Sequence, residues 1–196
     1  MHLACADVGN GTRTGTAGAV EAVAAAMRAH AGSAEVQEAA CFEHWDRHHS
    51  DNHPVCGRVL RNLTTSSVQN ESRALNAGAI EAVVTAMSSH EDCALVQETA
   101  SVAMRNLTGG NVKYTARAGV AGAVEALVKA MRRHTESPGV QSSACVSLYF
   151  LTEDNVENKT RALHEGANEL AKAALKAHPS NKRVVHEARD LLTQIG

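Results

Sequence analysis

An internal repeat is the feature of this sequence that most limits the folds open to it. Segments of similar sequence begin at glycines 78, 122 and 166, which are 44 residues apart, and another begins 60 residues earlier at Gly18. The four segments read GAVEAVAAAMRAH, GAIEAVVTAMSSH, GAVEALVKAMRRH and GANELAKAALKAH. A period of this length is typical of arrays in which one small structural unit stacks on the next.

Positions outside these segments keep the same register. An arginine precedes each repeat glycine by five residues, and a valine follows it by eighteen. The first unit alone departs from the pattern, because 16 extra residues, FEHWDRHHSDNHPVCG at 42–57, separate VQEAAC from RVLRNLT. We therefore interpret residues 42–57 as an insertion into a scaffold that is complete without them.

The spacing of apolar residues within one unit predicts three helices and no strands. A short polar segment before each glycine, such as VENKTRALHE at 156–165, carries Val156 and Leu163 at helical spacing and predicts a first helix. A broad apolar stripe predicts a second helix over roughly 78–89. A histidine ends this helix in every copy, where a structural role at the helix terminus is expected. Apolar spacing then predicts a third helix that buries Val96, Ala100, Ala103, Met104 and Leu107.

Composition and charge disfavour several partners and compartments. The chain has 19 lysines and arginines and 21 acidic residues, so it has no basic field that would attract nucleic acid or an anionic membrane. No stretch approaches the roughly 20 apolar residues of a membrane span. Five scattered cysteines and an N-terminus without a signal-peptide pattern favour a reduced, intracellular protein, cytoplasmic or nuclear.

The repeat resembles the armadillo (ARM) repeat. The likeness rests on three helices per 44 residues, on G-A-[IV]-E-A-[VL]-V at the start of the second helix and on V-Q-E-x-A-x-x-A-[LM]-R-N-L in the third. It covers the chain as one domain, 1–196, with repeats at about 8–66, 67–110, 111–154 and 155–196. The resemblance implies an all-α, right-handed α-solenoid whose third helices line a concave groove that holds extended peptides or partner helices.

The resemblance also implies which residues meet a partner. Peptide-binding members present an asparagine on the third helix and a tryptophan four residues before it. The asparagine position here holds Asn62, Asn106, Phe150 and Gln194, and the tryptophan position holds Arg58, Val102, Val146 and Asp190. The stacking array of the nuclear-import adaptors is therefore absent.

The expected partner-binding groove combines these positions with the row just before the asparagine. It comprises Arg61, Asn62, Val102, Arg105, Asn106, Val146, Tyr149 and Phe150. Arginine and amide side chains suit a ligand backbone together with carboxylate or phosphate groups. The alternative is that these are ordinary solvated helix residues.

The insertion has three interpretations. Its four histidines and the flanking Cys41 and Cys56 would suit zinc, because two pairs of histidines have i, i+4 spacing. It would otherwise be a surface loop in which Phe42 and Trp45 either fold back or are exposed for a partner, or it is translated intron or another error of the gene prediction. The sequence leaves these alternatives open.

The favoured function is a non-enzymatic scaffold that binds a protein or peptide in the groove, with zinc binding or sensing through 41–56 as the alternative. No nucleophile, phosphate-binding or paired-carboxylate motif points to an enzyme, and no cofactor is expected. Polar residues Asn168 and Lys172 replace apolar ones of earlier units, as expected of a capping unit. Residues 1–7 are similar to the end of a preceding third helix, so a further upstream repeat is expected.

Overall fold

The computed structural model describes residues 18–41, 68–109 and 111–196. Every regular element in those ranges is an α-helix, which confirms the predicted all-α class. In chain order the helices are α1 Ala19–Ala29, α2 Ala34–Cys41, α3 Val68–Asn76, α4 Ala79–Ser89, α5 Ala94–Thr108, α6 Val112–Val120, α7 Ala123–Arg133, α8 Pro138–Thr152, α9 Val156–His164, α10 Ala167–Ala177 and α11 Lys182–Ile195. None of these helices is both long and apolar enough to cross a bilayer.

The helices recur in sets of three, as the sequence predicts. Unit two consists of α3 to α5, unit three of α6 to α8 and unit four of α9 to α11. Helices α1 and α2 correspond to the second and third helices of unit one. The predicted second helix over 78–89 is α4, Ala79–Ser89.

A glycine in the left-handed conformation precedes each second helix. Its φ is 84° at Gly18, 71° at Gly78, 87° at Gly122 and 83° at Gly166. Glycine adopts a positive φ without the steric cost that a Cβ imposes, so the chain turns sharply from the first helix into the second. The boundary between the predicted first and second helices is therefore confirmed at Gly78, Gly122 and Gly166.

Buried glutamines bind the ends of the second helices. Gln141 on α8 is 2% exposed, and its Nε2 donates to the carbonyl oxygens of Met131 at 2.8 Å and His134 at 2.9 Å. Carbonyls at a helix C-terminus have no donor within the helix. Gln37 and Gln97 make the same two bonds in units one and two. Each of these bonds ties a third helix to the second helix of its own unit.

Histidines that follow the second helices connect consecutive units. Nε2 of His134 donates to the carbonyl oxygen of Glu91, one unit earlier, at 2.7 Å. The same bond joins His90 to Ala31 at 2.8 Å and His178 to Thr135 at 2.7 Å. The structural role expected of these histidines is present, but their acceptors belong to the preceding unit instead of their own helix.

Arginines ahead of the repeat glycines form ion pairs between units. Arg117 on α6 lies 2.6 Å from Glu81 on α4. The equivalent pairs are Arg73 with Glu21 at 3.6 Å and Arg161 with Glu125 at 3.9 Å. These side chains are more than a third exposed, so each pair adds little stability by itself.

The 16-residue insertion leaves the contacts between units one and two unchanged. The histidine and its acceptor are 43 residues apart at two junctions and 59 apart at the junction that spans the insertion. The difference equals the number of inserted residues. The described parts on either side of residues 42–57 therefore keep the register of the other junctions.

Small side chains fill much of the core. The alanine after each of the last three repeat glycines is fully buried, and such side chains let helix backbones approach closely. All five residues predicted to form the buried side of α5 are at most 7% exposed. The largest fully buried side chains include Met87, Leu127, Met131, Leu148 and Ile195.

The first helices bury a different side from the one that the sequence suggested. Val156, the first residue of α9, is 80% exposed, and Leu163 is 41% exposed. The buried residues of α9 are instead Asn158 and Ala162. Asn155 caps this helix by accepting from the Asn158 N–H, so the helix starts at an exposed valine.

Polar residues cover the outer side of α10. Lys172 is exposed and lies 2.8 Å from Glu169, and Asn168 is half-buried. The equivalent residues of unit three, Val124 and Val128, are fully buried against neighbouring helices. The two positions that are buried and apolar in unit three are therefore more exposed and polar in unit four.

Candidate functional site

The third helices lie side by side and present a common face. Helix α8 packs against α5 on one side and against α11 on the other, and α2 packs against α5. Each helix turns its apolar side toward the core. We call the opposite side of α5, α8 and α11 the third-helix face; it carries Glu98, Arg105, Asn106, Tyr149, Phe150, Arg183 and Glu187.

Asn106 and Arg105 lie half-buried near the C-terminal end of α5. Arg105 Nη2 is 3.4 Å from Asn106 Oδ1, a long hydrogen bond. Asn106 Nδ2 is shielded from solvent and has no acceptor among the described residues. A buried amide nitrogen without an acceptor costs about 1 to 3 kcal/mol, which an incoming carbonyl oxygen would recover.

Val102 and Val146 occupy the positions where the resemblance expects tryptophan. They are only 2% and 7% exposed. Neighbouring side chains cover both, so they offer a partner little surface in this conformation. Both side chains therefore belong to the packed interior.

Tyr149 and Phe150 form an aromatic pair on α8. Their ring centroids are 5.4 Å apart with an interplanar angle of 86°, an edge-to-face arrangement. Both residues are half-buried and follow Arg105 and Asn106 in the repeat register. They place two aromatic side chains in the unit next to the amide and guanidinium groups of α5.

Glu98 on α5 crosses the first turn of α8. A Cβ built on Gly139 would lie 2.1 Å from Glu98 Oε2, so the carboxylate occupies the space that a side chain would need. The helix dipole favours an anion at this end of α8. Burial nevertheless raises the pKa of Glu98, and the positive charge of Arg183 on α11 opposes that rise.

Glu187 on α11 has a second set of charged neighbours. Burial raises the pKa of its carboxyl, and the negative charge of Asp190 adds to the rise, whereas His186, Arg183 and Arg105 oppose it. Arg105 belongs to unit two, so charges on units two and four act on each other across α8. The third-helix face therefore carries both signs of charge in alternation.

The described residues include no metal site, and the residues of the predicted zinc site in the insertion are not among them. Burial raises the pKa of Cys145 to about 12, so this fully buried thiol stays protonated and packs in the core of α8. The described residues contain no group of three or more His, Cys, Asp or Glu side chains that could hold a metal ion. Arg61, Asn62 and the insertion 42–57 lie outside the described residues, and the predictions made for them stay predictions.

Most of this face follows from the repeat register, but its charge pairing does not. Arg105, Asn106, Tyr149 and Phe150 are predicted by their position in the repeat. Glu98, Arg183 and Glu187 are not, because the repeat register does not indicate that charges two units apart act on each other. The one available signal was Gly139, a glycine where the other units have Glu35, Leu95 and Arg183.

Comparisons with known proteins inform the fold alone. No protein-family model matches the chain, and no curated protein matches it. The chain is similar to the crystal structure of an engineered protein from the Northeast Structural Genomics Consortium, with a TM-score of 0.79. The two chains are 23% identical over 98% of this chain and 70% of that one. At this identity the likeness extends to the helical architecture and carries no function.

Proposed function

We propose that the chain is a single armadillo-type domain, a right-handed α-solenoid of three-helix units. The 44-residue register, the left-handed glycine before each second helix and the equivalent histidine bonds between units support this proposal. Stacked units of this kind contact only their neighbours and expose a long surface made of equivalent helices.

We infer that this surface binds protein, and that the chain is a non-enzymatic interaction scaffold of the cell interior, cytoplasmic or nuclear. Its partner would be an extended peptide or a helix lying across the third helices. The observation that carries the proposal is the buried Asn106 Nδ2, a donor on the third-helix face with no acceptor among the described residues. A backbone carbonyl of a partner supplies such an acceptor.

The neighbouring residues fit the rest of such a ligand. Packed helices are about 8 to 10 Å apart, which an extended peptide spans in about three residues. A ligand held by Asn106 on α5 therefore reaches Tyr149 and Phe150 on α8 within one unit. Arg105, beside the amide, suits a carboxylate of the ligand. Alternating charges and a net charge of −2 favour a protein partner over nucleic acid.

Selection from a random peptide library, followed by titration of the selected peptide, tests this proposal. Arg105→Ala and Asn106→Ala should each weaken binding by about 1 to 3 kcal/mol, the usual effect of truncating a central polar contact. Lys113→Ala is the matched control, because Lys113 is an exposed cation on the first helix α6, away from the third-helix face.

Thermal melting of the three variants separates binding from folding. We expect melting temperatures close to that of the parent chain, since Arg105 and Asn106 are only half-buried. Equal affinity losses in Lys113→Ala and Arg105→Ala would place the partner elsewhere. Unchanged affinity in both third-helix variants would reject the groove while leaving the proposed fold intact.

A further inference from the structure

Two crevices occupy equivalent places at consecutive junctions between units. One lies between α4 and α7, at the junction of units two and three, and the other lies between α7 and α10, at the junction of units three and four. The residues that line them correspond almost one for one in the repeat register. Their volumes differ, at about 20 Å³ for the first crevice and about 80 Å³ for the second.

Two basic side chains of the protein itself narrow the first crevice. Lys129 and Arg133 on α7 line it, and each reaches an acidic residue in the turn between α4 and α5 of unit two. Lys129 Nζ lies 2.5 Å from Glu91 Oε1, and Arg133 Nε lies 2.6 Å from Asp92 Oδ1. The aliphatic stems cover apolar surface while the charged ends meet carboxylates at its edge.

Alanines stand at both of these positions in the second crevice. Ala173 and Ala177 on α10 correspond to Lys129 and Arg133, and they account for its larger volume. Met131, Leu170 and Ala174 supply further apolar lining.

An acidic residue directly follows Thr135, which lines this crevice. Glu136 corresponds to Asp92 in the repeat register. It is exposed, and it forms no ion pair with the residues that the structure describes. Thr135 takes the place of Glu91, and its carbonyl oxygen already accepts from His178. Unit three therefore has a carboxylate at the position of Asp92, whereas unit four has alanines at the positions of Lys129 and Arg133.

We propose that the crevice between α7 and α10 is a binding site for an arginine or lysine side chain of a partner protein. The aliphatic stem lies on Ala173, Ala177 and Leu170, as the stem of Lys129 lies in the equivalent crevice. The cationic end pairs with Glu136, as Arg133 pairs with Asp92. The site is separate from the third-helix face, so each proposal can fail without the other.

Amide and methyl NMR shifts of the full chain test the site directly. The probe is a capped Gly-Arg-Gly peptide at millimolar concentration, and its control is the same peptide with norleucine, which has an aliphatic stem and no charge. We expect shifts that concentrate at Ala173, Ala177 and Glu136 with the arginine peptide, and shifts at least several-fold smaller with norleucine. Equal effects of the two peptides, or no effect at these residues, would overturn the proposal.

A substitution that fills the crevice from within provides the second test. Ala177→Arg should abolish the peptide-induced shifts, because its side chain takes the place that Arg133 takes one unit earlier. It should also raise the melting temperature by roughly 1 to 3 °C through a new pair with Glu136.

The stabilising effect of this arginine should disappear in a Glu136→Gln background. Glu136→Gln alone should weaken the peptide effect without changing the fold, since Glu136 is exposed. Undiminished shifts in Ala177→Arg, or equal stabilisation by arginine with and without Glu136, would show that the crevice does not recognise a basic side chain.

Discussion

The Asn158 side chain connects the first helices of units three and four. Asn158 on α9 is 2% exposed, and its Nδ2 donates to the carbonyl oxygens of Thr115 at 3.0 Å and Leu151 at 2.9 Å. Gly119 on α6 makes room for it, because a Cβ there would lie 1.8 Å from Asn158 Oδ1. Both Nδ2 hydrogens are in use, so the amide cannot move aside without losing a buried hydrogen bond.

Gly119→Ala should therefore destabilise the protein although alanine favours helices. We expect a loss of about 1 to 3 kcal/mol in the free energy of unfolding, from overpacking and from the displaced hydrogen bonds. Urea denaturation measures the loss. The double variant with Asn158→Ala should be more stable than the sum of the two single effects predicts, because the clash is then absent. Additive effects would mean that the two residues do not share this space.

The carboxyl of Glu98 predicts a pH-dependent effect. Burial raises its pKa in the folded protein above the ordinary value of 4.5, so its ionised form destabilises the fold at neutral pH. Glu98→Gln should raise the melting temperature at pH 7. The advantage should shrink as the pH falls through the folded-state pKa toward 4.5, where the glutamate is itself protonated. Melting curves at several pH values check this. A lower melting temperature of the variant at pH 7 would mean that the interaction with Arg183 outweighs burial.

At the scale of helices, the buried glutamines predict a measurable link between the second and third helix of a unit. Gln141→Ala removes two hydrogen bonds and leaves the carbonyls of Met131 and His134 without that donor. We expect the free energy of unfolding to fall by about 1 to 3 kcal/mol, as measured by urea denaturation.

Gln194→Ala is the matched control for the glutamine on α8. Gln194 is half-buried and makes a single bond, to the Thr152 carbonyl, at 3.3 Å. Its loss should cost clearly less than that of Gln141. Equal losses would show that the cost comes from removing glutamine from a helix and not from the helix-end carbonyls.

The sequence predicted the helices better than the contacts between them. Period and apolar spacing were enough to place α4 and the buried side of α5. The exposed Val156 was misleading because apolar spacing in a nine-residue helix hardly distinguishes one side from another. The acceptor of His134 was not predicted, because a backbone carbonyl in the preceding unit does not affect the pattern of side chains.

At the scale of the whole molecule, the proposed solenoid predicts an elongated particle. A compact domain of 196 residues would have a radius of gyration of about 16 Å. Small-angle scattering should give a larger value and a skewed distance distribution, and circular dichroism should show helix without β-structure. A radius near the compact value would reject the solenoid, even if the chain proved helical.

The candidate site was predictable only in part. The repeat register identified Asn106, because equivalent positions on equivalent helices share one side of the array. It did not predict that Asn106 Nδ2 has no acceptor among the described residues, or that charges on α5 and α11 act on each other across α8. Those features depend on the paths of individual side chains, such as Glu98 beside Gly139, which a linear period does not contain.

The histidine hydrogen bonds between units affect how easily tandem duplication can add a unit to the protein. Units two and three each carry a histidine that donates to the unit before and a carbonyl that accepts from the histidine of the unit after. A tandem duplication of one 44-residue segment would therefore already encode both the histidine donor and the carbonyl acceptor of this bond. Lengthening the protein requires no compensating substitution at the new joint, and the bond from His90 to Ala31 across 59 residues shows that extra sequence between the two halves is also tolerated.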